Sequence, residues 1–314
     1  MFENLLFDLF LLFLARLTVG FFKRFVDERR TVFAHGGVQI FGNVIIFHYA
    51  LGFAYFGDDF VDESHLLFDF LMRVENAAQH TLDWYRARLG NITGSMVGVL
   101  MKEGRGDTFT DAARTYLYQL AAERMMNPAI VDDDEWFEDY IRQTGAPTPA
   151  MRWGTEKEEE ARDLYASLYK AHVVELGSCR HPSIPRFASS PDGFSYDEDS
   201  GIKTCLEIKC PVQSTFMRYV HEVRDNATLL RAKPEYFYQC MAHMMVTNAA
   251  QTDFIVYCPW QLNPLHVSRI TADETVFSKM EKRIGLANAF IDSITSKLKG
   301  QTYEQQLFRE TESA

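Results

Sequence analysis

Two short stretches hold side chains that can do chemistry: Ser190-Pro191-Asp192-Gly193, and Leu206-Glu207-Ile208-Lys209-Cys210-Pro211. The second reads as a strand. Side chains alternate faces along a strand, so Glu207 and Lys209 share one face. Cys205, Leu206 and Ile208 make the rest of it apolar, which places it in a core. An acid and a lysine on a core strand cost free energy unless they are paired or used. Asp192 and Glu207 together offer the oxygen ligands a hard divalent cation takes. Lys209 would then stand beside the ion, next to an attacking water or a phosphate. The same letters also fit a β-hairpin with a surface salt bridge, because Pro-Asp-Gly is a common turn.

Other residues could join this pair. After Trp153-Gly154 a helix over 155–173 carries Glu156, Glu158, Glu159 and Glu160, with an apolar stripe of Ala161, Leu164, Tyr165 and Leu168. Glu158 lies three residues before Ala161 and seven before Tyr165, so it points with the buried face. Glu159, four before Asp163, points to water. Glu158 is thus a candidate third carboxylate; an ordinary charged first turn gives the same letters. On a mostly apolar helix over 236–247, Gln239 and His243 stand at i, i+4. Gln239 could bond a water or a phosphate, or be a satisfied core amide; His243 reads as structural. Arg86, Arg88 and Ser95 surround a helix start, a setting that suits a phosphate. Trp84 and Trp153 read as core.

Gly90 suits a helix stop before the new start at Thr93 or Ser95. An amphipathic helix is expected over 108–125, with Ala112, Ala113, Tyr116, Leu117 and Leu120 inside. The acidic run 132–139 reads as solvated surface, and Pro147 and Pro149 as a loop. Strands are expected near 184–190, 202–209, 253–259 and 264–270, and helices near 234–248 and 273–298. This uneven alternation predicts an α/β fold, a mixed sheet flanked by helices. The net charge of −11 confines any DNA-binding surface to a local basic patch. The five cysteines, at 179, 205, 210, 240 and 258, form no C-x-x-C pair, which argues for reduced thiols in a cytoplasmic protein and against a zinc site, an iron–sulfur cluster or a disulfide framework.

Residues 1–71 differ in kind. They hold 15 of the 25 phenylalanines, and the apolar runs 5–22 and 38–56 approach the length of membrane-spanning helices. Asp8, Arg16 and His48 would be costly in lipid. Three readings follow: upstream DNA translated from too early a start, with Met72 as the natural one; a membrane or interfacial segment; or a partner-binding arm. The division expected is an apolar extension, 1–71, and a catalytic domain, 72–314.

In combination, Trp84-x-x-x-Arg88-Leu-Gly-x-Ile-Thr-x-Ser95, Trp153-Gly-x-x-x-Glu158, Ser190-Pro-Asp-Gly, Leu206-Glu-Ile-Lys-Cys-Pro and the segment Tyr236 to Gln239 fall in one order. The Asp192, Glu207 and Lys209 set resembles the PD-(D/E)xK nucleases. The whole order, over roughly 76–270, resembles the lambda-type phage exonucleases, also called the YqaJ-like viral recombinase family. The resemblance implies a restriction-endonuclease-like core and digestion of linear duplex DNA from the 5′ end with magnesium, manganese being an alternative. It further implies a ring of three subunits and a single-strand annealing protein as partner. By the same resemblance Asp192, Glu207 and Glu158 are metal ligands, Lys209 is the lysine beside the attacking water, and Gln239 is the helix glutamine. Arg88 and Ser95 hold the 5′-phosphate, with Ser190 assisting. Residues 1–71 and the acidic insertion 132–149 have no counterpart in that pattern. A structure-specific endonuclease of the same superfamily, and a non-catalytic membrane-associated DNA-end binder, are the rival readings.

Overall fold

A computed structural model describes residues 77–104, 109–145, 148–197 and 200–298, all within the compact unit Arg73–Ala314. The expectations for residues 1–71, and for a start at Met72, lie outside the described residues. Among the described residues no helix is long and apolar enough to cross a membrane.

The chain opens with α1 (Leu82–Arg88), β1 (Ile92–Thr93) and α2 (Gly94–Leu100). Next come α3 (Asp111–Arg124), α4 (Pro128–Asp132), α5 (Asp134–Gly145) and α6 (Pro149–Tyr169). The strands β2 (Val173–Val174), β3 (Cys179–Arg180), β4 (Phe187–Ser189), β5 (Gly193–Asp197) and β6 (Ile202–Lys209) follow. The helices α7 (Gln213–Glu222), α8 (Asn226–Ala232) and α9 (Pro234–Thr247) lead to β7 (Gln251–Tyr257), β8 (Leu265–Thr271) and the long α10 (Glu274–Leu298). One sheet has the order β2-β5-β6-β7-β8, the other β1-β4-β3. Among the described strands only the β6/β7 and β1/β4 pairs are parallel. A parallel pair needs a long crossover, and α7, α8 and α9 supply it between β6 and β7. The expected mixed sheet flanked by helices is the fold observed.

The central strand β6 is covered on both faces. Leu206 and Ile208 join Ile255 and Tyr257 of β7 beneath Ala161 and Tyr165 of α6. The opposite face meets α9, where Thr247 Oγ1 lies 3.2 Å from Cys205 Sγ and His243 reaches Glu207. Burying each of these aliphatic side chains stabilises the fold by about 1.5–3 kcal/mol. That burial is what holds an acid in the middle of the strand.

Several local expectations need correcting. Helix α6 begins at Pro149, not 155: Thr148 caps it by accepting the Met151 N–H at 3.2 Å, and proline is well placed in a first turn. Leu168 and Ala112 are exposed, off the buried stripes assigned to them. The acidic run 132–139 is exposed as expected save for Phe137, which is completely buried; what was not expected is that most of it is helical, within α5. Trp153 is not core; it is half-buried and stacks on the exposed Trp260, ring centroids 4.9 Å apart.

Candidate active site

Asp192 sits just before β5, at the mouth of the β5–β6 hairpin. Its N–H donates to the Leu206 carbonyl (3.0 Å), and its Oδ2 accepts the Ile208 N–H (2.7 Å). These two bonds lay the carboxylate along β6 between Glu207 and Lys209. Gly193 is needed next to it: a Cβ there would stand 2.8 Å from both Leu206 Cδ1 and Val173 Cγ1. The Asp-Gly pair is therefore a packing requirement as well as a turn signal.

Glu207 has no solvent exposure. Its Oε2 pairs with His243 Nε2 at 2.6 Å, and His243 Nδ1 lies 2.8 Å from Ser189 Oγ. An ionised carboxylate only accepts, so Nε2–H is the donor; in the neutral ring the Ser189 hydroxyl then donates to Nδ1. Glu207 Oε1 lies in ion contact with the Lys209 ammonium, but no hydrogen bond of ordinary geometry satisfies this oxygen. Lys209 also approaches the Tyr236 ring, 5.1 Å from its centroid.

The charges explain the protonation states. Burial raises the Asp192 pKa well above its ordinary value, and the negative Glu207 and Glu158 push it further. Burial would raise Glu207 as well, but Lys209 and the His243 bond outweigh it and hold Glu207 below its ordinary value. Burial alone would lower Lys209; Glu207 and Asp192 instead lift it above its ordinary value, so it stays an ammonium. Burial raises Glu158 too, against the pull of Lys209 and with Glu207 adding to the rise.

Helix α6 delivers Glu158 half-buried and leaves Glu159 exposed, as the helical spacing implies. Arg162, one turn further on, fixes this helix to the site. Its Nε donates to the Asp192 carbonyl (2.8 Å) and its Nη1 pairs with Glu175 (3.2 Å). Two turns beyond Glu158, Tyr165 donates to the buried Asp253 at 2.7 Å, and Arg269 holds the same carboxylate through two bonds of 2.9 and 3.0 Å. Sequence reasoning missed Arg162. Its i, i+4 spacing from Glu158 was the available signal.

The donor set of Asp192, Glu207 and Glu158 suits a hard divalent cation. Their charges repel one another, and Glu207 Oε1 is a buried acceptor without a well-formed hydrogen bond. Among the described residues no three His, Cys, Asp or Glu side chains are gathered closely enough to grip an ion. Holding one would require these carboxylates to draw together around it.

A second cluster adjoins the first through consecutive residues. Ser189 belongs to the His243–Glu207 chain; Ser190 turns the other way and accepts from Trp84 Nε1 (3.1 Å) and Arg88 Nη1 (3.3 Å). The Arg88 guanidinium lies 4.1 Å from the Trp84 ring centroid. Burial lowers the Arg88 pKa, only partly offset by Tyr116, Tyr85 and Glu123, and among the described residues no carboxylate forms an ion pair with it. Gly94 lets α2 pack onto this strand, because a Cβ there would lie 1.9 Å from Ser189 Oγ. Ser95, the next residue, is exposed, with its Oγ 3.4 Å from Thr93 Oγ1. Trp84 is buried, as expected, but it also positions Arg88. Arg86 is diverted elsewhere, to Asp83, Asp134 and the Val131 carbonyl. Gln239 is half-buried on α9, one turn before His243 on the same side of the helix, with no hydrogen bond to a described residue.

Residues 83–250 match the YqaJ-like viral recombinase domain, more than half of the chain. Among solved structures, the chain is similar to an alkaline exonuclease, LHK-Exo, from Laribacter hongkongensis: 26% identity and a TM-score of 0.56, over 70% of this chain and 96% of that one. LHK-Exo in complex with dAMP gives the same values. A phage-related exonuclease from Haemophilus somnus 129PT is 14% identical with a TM-score of 0.48, over 66% of this chain and 96% of that one. No curated protein matches the chain.

Proposed function

The chain belongs to the YqaJ-like viral recombinase family of nucleases, and on that premise we propose that it is a metal-dependent exodeoxyribonuclease that digests linear duplex DNA from its ends, 5′ to 3′. One observation carries the reading. The Asp192–Glu207–Lys209 set, with both acids buried, and a cationic Arg88 pocket are joined through the adjacent residues Ser189 and Ser190. A cutting centre needs acids and a lysine. A centre that cuts from an end also needs somewhere to hold that end.

In this reading Asp192, Glu207 and Glu158 hold magnesium, with manganese as an alternative. The bound ion would supply positive charge that polarises the scissile phosphate and acidifies a nearby water. Lys209, kept charged by Glu207 and Asp192, orients the attacking water and offsets negative charge as it develops on the phosphate. Gln239 presents a neutral amide to the same water or phosphate. His243, itself held by Ser189, keeps Glu207 in place. Arg88, Ser190 and Ser95 take the 5′-phosphate, and Arg88 brings to it a charge that forms no ion pair with a carboxylate among the described residues. The similarity to an alkaline exonuclease whose structure has been solved with dAMP supports a nucleotide substrate. The strand left behind would pass to a single-strand annealing protein, and three subunits would enclose the duplex, as in the family.

Linear DNA labelled at one 5′ end or one 3′ end tests this directly, with magnesium present. Early release of the 5′ label as a mononucleotide is the expected result. Early release of the 3′ label, or internal cuts on circular DNA, would overturn the proposed direction or the end requirement.

A further inference from the structure

His80 stands at the rim of the Arg88 pocket, against Trp84. It is exposed, and its backbone is left-handed, with φ of 66°. A non-glycine residue held in that region costs about 1 kcal/mol or more. The surroundings enforce it. Gln79 Nε2 donates to the carbonyls of Leu176 (3.0 Å) and Pro191 (2.9 Å), pinning the turn to the loop that carries Ser190. On the other side the Thr81 hydroxyl donates to the Ala78 carbonyl (2.7 Å), and its Oγ1 accepts the Trp84 N–H (3.3 Å). The turn is thus fixed at both ends, and the side chain it displays is an imidazole. That ring lies against Trp84, centroids 5.2 Å apart, the same indole that carries Arg88 and bonds Ser190.

We propose that His80 is a further member of the terminal-phosphate pocket, binding the anion alongside Arg88, Ser190 and Ser95 as a donor that takes up its proton when the anion arrives. This rests on the reading of that pocket as a phosphate site. The charged groups that act on His80 are Glu175, from the loop after β2, and Arg88, from α1; Glu175 is already paired with Arg162. Burial lowers the pKa of His80, Glu175 raises it, Arg88 lowers it again, and the net direction is down. Before an anion binds, the ring therefore holds a proton less readily than an ordinary imidazole. A phosphate dianion supplies the negative charge that favours the protonated ring. By linkage, the advantage of a 5′-phosphate over a 5′-hydroxyl grows as pH falls, by at most about tenfold per pH unit for one proton.

The test measures binding without cleavage. Fluorescent duplexes with a 5′-phosphate or a 5′-hydroxyl are titrated with the full chain in chelator, from pH 8 to pH 6, and the ratio of the two Kd values is read by anisotropy. In the wild type the phosphate advantage should grow at least threefold over that range. His80→Asn keeps a residue tolerant of the left-handed backbone but removes the charge; its ratio should be smaller and should lose the part of the pH dependence due to the ring. His80→Arg should give a large ratio without that part. The phosphate's own second ionisation, near pH 6, acts equally on all three proteins. If His80→Asn matches the wild type at every pH while Arg88→Ala lowers the ratio, the phosphate pocket stands and His80 has no part in it. If neither variant changes the ratio, the pocket reading itself falls, and this proposal with it. Should His80→Asn fail to fold, NMR titration of the wild-type His80 ring with inorganic phosphate decides the matter: an upward pKa shift supports the proposal, and an unmoved one overturns it.

Discussion

Replacing His243 by alanine tests how the central acid is held. The ring has almost no exposure and makes two hydrogen bonds, at 2.6 Å to Glu207 and 2.8 Å to Ser189. A hydrogen bond to a charged group is worth about 1.5–3 kcal/mol and a neutral one about 1 kcal/mol. Alanine also leaves Ser189 Oγ and Glu207 Oε2 unpaired in a buried place, together with a cavity. His243→Ala should therefore destabilise the metal-free protein by about 3–5 kcal/mol, a large share of the roughly 5–15 kcal/mol typical of a domain. Ser189→Ala should cost only about 1 kcal/mol, and the two substitutions should be coupled by a similar amount in a double-mutant cycle. The assay is urea unfolding in chelator, followed by fluorescence and by circular dichroism so that two-state behaviour is checked. A loss below about 1 kcal/mol for His243→Ala would refute the bridge as the support of Glu207.

Lys209→Ala should cut the rate of DNA digestion by orders of magnitude while Mn²⁺ binding stays measurable by calorimetry; a complete loss of metal binding in the folded variant would count against its place beside the water. Arg88→Ala should reduce the preference for 5′-phosphorylated over 5′-hydroxyl ends about tenfold or more, since a charged hydrogen bond is worth about 1.5–3 kcal/mol; equal rate ratios in variant and wild type would remove Arg88 from the pocket. Tyr165→Phe should cost about 1–3 kcal/mol, because it removes a donor from the fully buried Asp253 carboxylate; unchanged urea unfolding would show that Arg269 alone satisfies that acid. Glu235 is held down to about 2, first by its hydrogen bond with Lys102. A depressed carboxylate contributes stability above its unfolded pKa and loses it as pH falls from about 4.5 toward about 2. Both partners are partly exposed, so solvent screening limits the contribution to under about 1 kcal/mol. Glu235→Gln should remove this part of the acid-side slope in low-salt melting curves, and an unchanged slope would refute the pairing.

Strong local patterns were legible. Strand β6 runs over Ile202–Lys209 as expected, because its alternation is unambiguous once Glu207 and Lys209 are placed on one face. The inward side of Glu158 followed from helical geometry alone. Strand β5 escaped notice because Gly193-Phe194-Ser195-Tyr196-Asp197 is short and half polar; it is a strand because β2 and β6 pair with it on either side. Helix α5 was hidden by its acids, and only Phe137 marks its inner face. Helices α7 and α8 lay in a stretch given no structure, yet the parallel β6/β7 pair demands a crossover there. At the site, the residue types at 192, 207 and 209 announced themselves. The roles of His243, Arg162 and Trp84 did not, because each depends on a partner at least 30 positions away in the chain.

Ser189 and Ser190 face opposite ways from consecutive positions, one toward Glu207 and the other toward Arg88. On the proposed reading, the grip on the end and the support of the cutting centre hang from neighbouring positions of one buried backbone segment, Ser190 bonding Arg88 and Ser189 bonding the His243 ring that holds Glu207, so the strand sets their spacing. The protein would then measure its product as a fixed gauge does. Every fragment released would be the same size whatever the base sequence, and the grip could not lengthen or shorten its stride without rebuilding the strand.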